Sequence, residues 1–183
     1  MLEIELKFRD ADAAAVQSQL NAWQATAAVM RHEHDHYFNA ADRDFAVTNE
    51  AFRIRVVNEK GILTYKGPRQ PGPAKTRKEI EVPLSAGTEA IAGAVSLMTS
   101  LGFRPVATVK KQRQMRTFER DGFDLTVCFD DVEQVGLFIE VEIVAQEDRK
   151  AAAEAVLMDV CKSLGLVDVE PRSYLRMFLE GNV

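Results

Sequence analysis

The sequence predicts an α+β protein in which about eight antiparallel β-strands close into a barrel, with charged residues inside and helices packed on the outside. Three observations lead to this prediction. Many segments alternate charged and apolar residues with the two-residue period of a strand. Three other segments carry apolar residues at helical spacing, and such amphipathic helices need an apolar surface to cover. The apolar strand faces provide that surface, so the charged faces must meet either solvent or one another.

The N-terminal part of the chain predicts a strand, a helix and a second strand. In residues 3–7 the charged side chains point to one face of a strand and the apolar side chains to the other. Asp10 suits the N-cap of a helix whose apolar positions run from Val16 to Trp23. Residues 27–38 favour a long strand, although their composition is polar.

The middle of the chain predicts a hairpin, a loop and a further strand. Residues 52–56 alternate, the turn residues 59–61 follow, and residues 62–66 resume the pattern. The Gly/Pro-rich segment 67–73 is the strongest loop signal in the chain. Residues 77–84 then favour another strand.

The C-terminal half predicts three more strands between two helices, followed by a short helix. Both longer helices show apolar stripes that end at a glycine, which is typical of a helix C-terminus. In chain order, the predicted elements are a helix over 91–98 ending at Gly102, strands over 104–119, 123–132 and 137–144, a helix over 157–164 ending at Gly165, and a helix over 171–180.

Charged residues that share one face of the predicted strands are the candidates for a binding site. Like-sign pairs stand two residues apart, such as Arg53 with Arg55 and Glu140 with Glu142, and they repel unless a counter-charge lies between them. An open sheet with a solvated charged face would show the same alternation, so it stays an alternative to the closed barrel. Strand parity places on the charged side Glu3, Glu5, Lys7, Arg53, Arg55, Thr64, Lys66, Arg77, Glu79, Glu81, Lys111, Arg113, Thr126, Cys128, Asp130, Glu140 and Glu142.

Composition narrows the class of protein. The chain has 183 residues with 46% hydrophobic and 28% charged residues, which predicts one soluble domain over residues 1–183. A net charge of −5 argues against nucleic acid as a partner. No 18-residue apolar stretch is present, so we expect no membrane segment. Cys128 and Cys161 are far apart and read as reduced thiols of a cytoplasmic protein.

The order of these motifs resembles the CYTH superfamily, the triphosphate tunnel metalloenzymes. The matching segments are 3–7, 35–38, 51–55, 63–68, 76–81, 109–113, 129–132, 139–142 and 173–175. Among the branches of that superfamily, the sequence is most similar to the class IV adenylyl cyclases. The resemblance covers nearly the whole chain and also implies a homodimer.

The resemblance implies a metal-dependent enzyme that acts on a triphosphate inside the barrel. The first candidate is an adenylyl cyclase that converts ATP to 3′,5′-cyclic AMP and pyrophosphate. The alternatives are an inorganic or thiamine triphosphatase and a non-catalytic polyphosphate or nucleotide sensor. A triphosphate carries about four negative charges, so its binding requires cationic side chains. We predict that seven residues, here called the cationic cradle, bind the triphosphate: Lys7, Arg53, Arg55, Lys66, Arg77, Lys111 and Arg113.

The carboxylates of the charged face provide candidate metal ligands. Hard oxygen donors favour Mg²⁺ or Mn²⁺ over zinc, and we expect two ions. The resemblance gives Glu5 and Glu142 as the first ligands and Asp130 as the next acidic residue of the site. The predicted metal ligands, here called the acidic set, are Glu3, Glu5, Glu140 and Glu142. The predicted catalytic residues are Glu5, Lys7, Asp130 and Glu142.

Other polar residues are expected to have ordinary roles. His32, His34 and His36 share one strand face and could chelate zinc, but parity places them opposite the motif residues of that strand. We therefore predict no metal site there. Lys75 and Lys78 are predicted to be solvated.

Overall fold

A computed structural model, which describes residues 1–9 and 11–181, contains one closed antiparallel barrel. Its eight strands are β1 (Leu2–Arg9), β2 (Val29–Asn39), β3 (Ala51–Val57), β4 (Lys60–Lys66), β5 (Lys75–Pro83), β6 (Arg104–Arg120), β7 (Phe123–Val132) and β8 (Gly136–Ala145). Around the barrel the strand order is β1-β5-β4-β3-β2-β6-β7-β8, and β8 pairs with β1 to close it. The predicted fold class is confirmed, and the open sheet is excluded.

The helices lie outside the barrel wall or at its end. They are α1 (Ala13–Ala22), α2 (Phe45–Thr48), α3 (Thr88–Ser100), α4 (Lys150–Ser163) and α5 (Tyr174–Gly181), with a short 3₁₀ helix at Glu147–Arg149. The four-residue helix α2 was not predicted; Asn49, in the left-handed conformation with φ 58°, ends it. No helix among the described residues is long and apolar enough to span a membrane.

The start of α1 differs from the prediction. Asp12 is the N-cap, and its side chain accepts a hydrogen bond of 3.0 Å from the backbone N–H of Ala15. This contact satisfies one of the unpaired donors at the helix start. The predicted cap Asp10 lies outside the described residues.

The main hydrophobic core lies between the outer wall of the barrel and two helices. Ile4, Leu125 and Val141 on the outer strand faces are fully buried, as are Leu20 of α1 and Leu157 of α4. The two-residue period of the strands therefore places apolar side chains under helices and turns the alternate, charged side chains inward.

The helix α3 covers its part of the wall loosely. None of its residues is buried, and Leu97 is 56% exposed. On the neighbouring strand face, Ile80 and Val82 are also nearly half exposed. The predicted outer position of α3 is correct, but this helix contributes little to the core.

Candidate functional site

The interior of the barrel is a cavity of about 810 Å³ with charged walls. Cationic and acidic side chains of every strand except β7 line it, and α2 and α5 contribute further residues. Of the predicted site residues, the structure brings into this lining Glu3, Glu5, Lys7, Arg53, Arg55, Lys66, Arg77, Lys111, Arg113, Glu140 and Glu142. The cavity thus combines the whole cationic cradle with the whole acidic set.

One group of cradle cations is held by two acidic residues of β2 that the sequence analysis did not select. Arg55 donates hydrogen bonds to Asp35 from Nε at 2.7 Å and from Nη2 at 2.8 Å, and Arg53 Nη1 adds one of 3.1 Å to the same carboxylate. Lys111 Nζ lies 3.0 Å from Glu33 Oε2. Both carboxylates therefore hold cations of the cradle in position.

The charges around Glu33 and Asp35 keep both groups ionised. Burial would raise the pKa of Glu33, but the nearby Arg55 and Lys111 outweigh burial and lower it to about 2. Burial opposes ionisation of Asp35 as well, yet Arg53 and Arg55 hold its pKa well below the ordinary value. Both carboxylates are thus expected to remain charged at neutral pH.

Asp130 is placed differently from the prediction that it is a catalytic residue of the cavity. It does not line the cavity and is only 2% exposed. Arg113 lies over it, with Nε 2.7 Å from Oδ1, and the Tyr174 hydroxyl donates to Oδ2 at 2.7 Å. Asp130 therefore orients Arg113, which also pairs with Glu140.

Most of the acidic set is paired with lysines. Glu3 pairs with Lys66, Glu5 lies 3.3 Å from Lys75, and Glu140 lies 3.4 Å from Lys7. Lys75, predicted to be solvated, is instead buried inside the barrel. The reason is that β5 begins at Lys75, two residues earlier than predicted.

Glu142 is the exception in the acidic set. Its carboxylate has no hydrogen bond or ion pair with any other described residue, although it faces the cavity. Burial, together with the negative charges of Glu3 and Glu140, raises its pKa to about 7. In Glu5, by contrast, burial and Glu140 oppose ionisation, but three lysines lower the pKa to about 2.

Arg77 lines the cavity and also forms hydrogen bonds with residues of two loops. Its guanidinium donates to the backbone oxygens of Asn49 and Gly67 and to Asn49 Oδ1, and no described carboxylate lies within ion-pair distance. Burial lowers its pKa. Arg77 therefore joins the end of α2 to the loop after β4, and its positive charge stays available to an anion.

The acidic set fits a bound cation by its donor chemistry. Its oxygen donors suit a hard divalent ion, and Glu142 offers a carboxylate that no described cation holds within ion-pair distance. Within the described residues no group of three or more His, Cys, Asp or Glu side chains is arranged around one metal position. The reason is that Glu3, Glu5 and Glu140 are turned toward their cationic partners.

The three histidines of β2 lie on the face predicted for them. His32 and His34 are exposed, whereas Glu33 and Asp35 on the opposite face are buried. His36 Nδ1 lies 3.1 Å from the Thr108 hydroxyl. The histidines therefore belong to the outer surface of the barrel and not to the cavity.

The structure thus defines a class of protein in which a closed β-barrel encloses a cavity lined by cationic and acidic side chains. The CYTH domain model matches residues 1–174, so this chain belongs to the CYTH domain family. The resemblance drawn from the sequence is confirmed. Members of this family generally act on triphosphate substrates and depend on metal ions.

Known proteins agree with this assignment over nearly the full chain. A candidate adenylate cyclase of Methanocaldococcus jannaschii is 33% identical over 180 residues, which cover 97% of this chain and 98% of the relative. The solved structure of a Pyrococcus horikoshii protein is also 33% identical, with a TM-score of 0.80 and coverage of 97% and 98%.

A more distant structure shares the fold. It is a candidate adenylyl cyclase from Hippeastrum, described as revealing a dominant triphosphatase activity. It is 18% identical, covers 98% of this chain and 95% of its own, and has a TM-score of 0.65. At that identity the similarity supports the common architecture alone.

Proposed function

We propose that this protein is a metal-dependent enzyme that converts ATP to 3′,5′-cyclic AMP and pyrophosphate inside the barrel. The observation that carries the proposal is the convergence of the cationic cradle and the acidic set in one cavity of about 810 Å³. A cavity of this size is in the range of small-molecule sites. The candidate adenylate cyclase that is 33% identical over the full length supports the choice of reaction.

The chain's own residues would bind and orient the triphosphate. Arg53, Arg55 and Arg113 present guanidinium groups that suit two-point contact with phosphate oxygens, whereas Lys66 and Lys111 act as compact charges. All five are already held by carboxylates in the described structure. Because phosphoryl transfer depends mainly on positioning and electrostatics, such fixed charges are the main catalytic contribution of the protein.

The acidic set would hold Mg²⁺ or Mn²⁺, and we propose two ions bound by Glu3, Glu5, Glu140 and Glu142. When bound, such ions supply positive charge at the phosphates and lower the pKa of the attacking hydroxyl. The ribose 3′-oxygen would attack the α-phosphorus in line and give up its proton to solvent, while the bond from that phosphorus to pyrophosphate breaks. Lys7, whose pKa is lowered to about 8 by burial despite Glu140, would lie beside the released charge.

A triphosphatase is the second candidate. The charged side chains that line the cavity would bind the phosphates of tripolyphosphate or thiamine triphosphate as well as those of ATP. In that reaction water, rather than a ribose hydroxyl, would attack the terminal phosphorus. The same residues would serve both reactions.

One experiment separates these functions. Purified protein is incubated with ATP and Mn²⁺, and separately with tripolyphosphate and Mn²⁺, and the products are separated by chromatography. Cyclic AMP with pyrophosphate supports the cyclase, and free phosphate supports the triphosphatase. Tight binding without turnover would make the protein a sensor and contradict both enzymatic proposals.

A further inference from the structure

The first residue of α5 is inserted into the end of the barrel. Tyr174 is 6% exposed and lines the cavity. Its ring packs edge-on against Phe138, with ring centroids 5.2 Å apart. Tyr174 is therefore in contact with both the hydrophobic core and the charged site.

Two lysines of the cationic cradle lie against this ring. Lys7 Nζ is 3.9 Å from the Tyr174 ring centroid and Lys111 Nζ is 5.4 Å from it. Both distances are within the range of about 6 Å for a cation–π contact. The ring face stabilises an ammonium ion without adding a negative charge. The ring acts in addition to the carboxylates that pair with these lysines, Glu140 with Lys7 and Glu33 with Lys111.

The hydroxyl of the same residue acts on a third cation. Tyr174 Oη donates 2.7 Å to Asp130 Oδ2, and the other oxygen of that carboxylate accepts from Arg113 Nε at 2.7 Å. The Tyr174 hydroxyl thus holds the carboxylate of Asp130, and that carboxylate in turn orients Arg113. Three cradle cations on β1 and β6 therefore depend on one side chain of the C-terminal helix.

We propose that Tyr174 is a positioning residue of the phosphate-binding site, whose ring orients Lys7 and Lys111 and whose hydroxyl orients Arg113 through Asp130. This inference rests on the proposed binding of a triphosphate. A role limited to anchoring α5 predicts that only the size of the side chain matters, whereas the proposed role predicts that the electrons of the ring matter.

The first test compares Tyr174→Phe with Tyr174→Leu. The dissociation constant of tripolyphosphate with Mg²⁺ is measured by titration calorimetry, and folding is checked by thermal unfolding. We expect the Phe variant, which keeps the ring but loses the hydroxyl that holds Asp130, to bind about threefold more weakly than the wild type. The Leu variant, which loses both ring and hydroxyl, should bind at least about tenfold more weakly. Tyr65→Phe is the matched control, because it also removes a hydroxyl bonded to a carboxylate, that of Glu50, away from both lysines. Its dissociation constant is expected to be unchanged.

The second test does not depend on the Leu variant folding. Phenylalanine analogues with one, two and three ring fluorines replace Tyr174, which weakens the negative ring face with little change in shape. We expect the dissociation constant to rise steadily with fluorine number. A flat series, or a Leu variant that binds like the wild type, overturns this inference while the proposed function stands. A wild-type protein that binds no triphosphate overturns both.

Discussion

Glu142 stands out among individual residues because its carboxylate faces the cavity without a hydrogen bond or ion pair to another described residue. Glu142→Gln is expected to abolish metal-dependent turnover, since it removes a predicted ligand of the acidic set. The same change should not unfold the protein. The folded-state pKa of about 7 lies above the ordinary value of 4.5, so stability is lost as the pH rises from 4.5 to about 7, and the full cost is present above that pH. At about pH 8 the variant should gain on the order of 1–3 kcal/mol in free energy of unfolding.

Initial rates and urea denaturation of the variant test both parts of this prediction. Glu81→Gln is the matched control, because Glu81 lines the same cavity, is not in the acidic set and accepts a hydrogen bond from Thr64. Turnover at the wild-type rate in Glu142→Gln would remove Glu142 from the metal ligands.

Arg113 and Arg77 belong to the same cationic cradle but differ in their partners. Arg113→Ala leaves the buried carboxylates of Asp130 and Glu140 without their guanidinium, which is expected to cost about 3–5 kcal/mol of stability. Arg77 has no carboxylate partner among the described residues, so Arg77→Ala should lower stability much less and still weaken triphosphate binding. Urea denaturation and calorimetry on both variants separate the two effects. Equal losses of stability would contradict the assigned contacts.

At the scale of elements, α3 and α4 both carry apolar stripes but bury very different amounts of surface. Leu157 of α4 is fully buried and Leu97 of α3 is 56% exposed. Leu157→Ala is expected to lower the free energy of unfolding by about 2–5 kcal/mol, whereas Leu97→Ala should change it by less than about 0.5 kcal/mol. Urea denaturation measures the free energy of unfolding of the two variants, which carry the same Leu-to-Ala change at sites of different burial. A large loss in Leu97→Ala would mean that α3 is covered in solution.

The elements also show how far the sequence could predict the site. Strand parity correctly turned residues such as Glu3, Arg55 and Glu142 inward, because successive side chains of a strand alternate strictly between two faces. Lys75 was missed since the Gly/Pro-rich segment before it hid the start of β5. Glu33 was missed because β2 is polar on both faces, so alternation gave no contrast there.

The spacing of residues in the sequence could not predict contacts between elements that are far apart along the chain. The closure of the barrel joins the first and last strands, with Glu5 opposite Glu142 in register. The insertion of Tyr174 into the barrel end likewise depends on how α5 docks. That docking also explains Asp130, which has the predicted inward parity but lies behind Arg113 instead of in the cavity.

For the molecule as a whole, closure concentrates charges that an open sheet would leave in water. Glu3 and Glu140 raise the cost of ionising Glu142 in the interior, while arginines and lysines keep carboxylates such as Glu5 and Glu140 charged. The ionised carboxylate of Glu142 is therefore unfavourable in the barrel, and either a proton or a bound cation would stabilise it. Proton and metal are thus expected to compete at this position.

This competition predicts a pH-dependent metal affinity. Below about pH 7 Glu142 is mostly protonated, and above it the carboxylate is free, so Mn²⁺ affinity should rise about tenfold between about pH 6 and pH 8. Calorimetric titration with Mn²⁺ alone, in two buffers that differ in ionisation enthalpy, measures both the affinity and the protons released. Glu142→Gln should bind weakly at both pH values and lose the proton release at about pH 7. A wild-type affinity that is equal at both pH values would show that Glu142 does not exchange its proton for the metal.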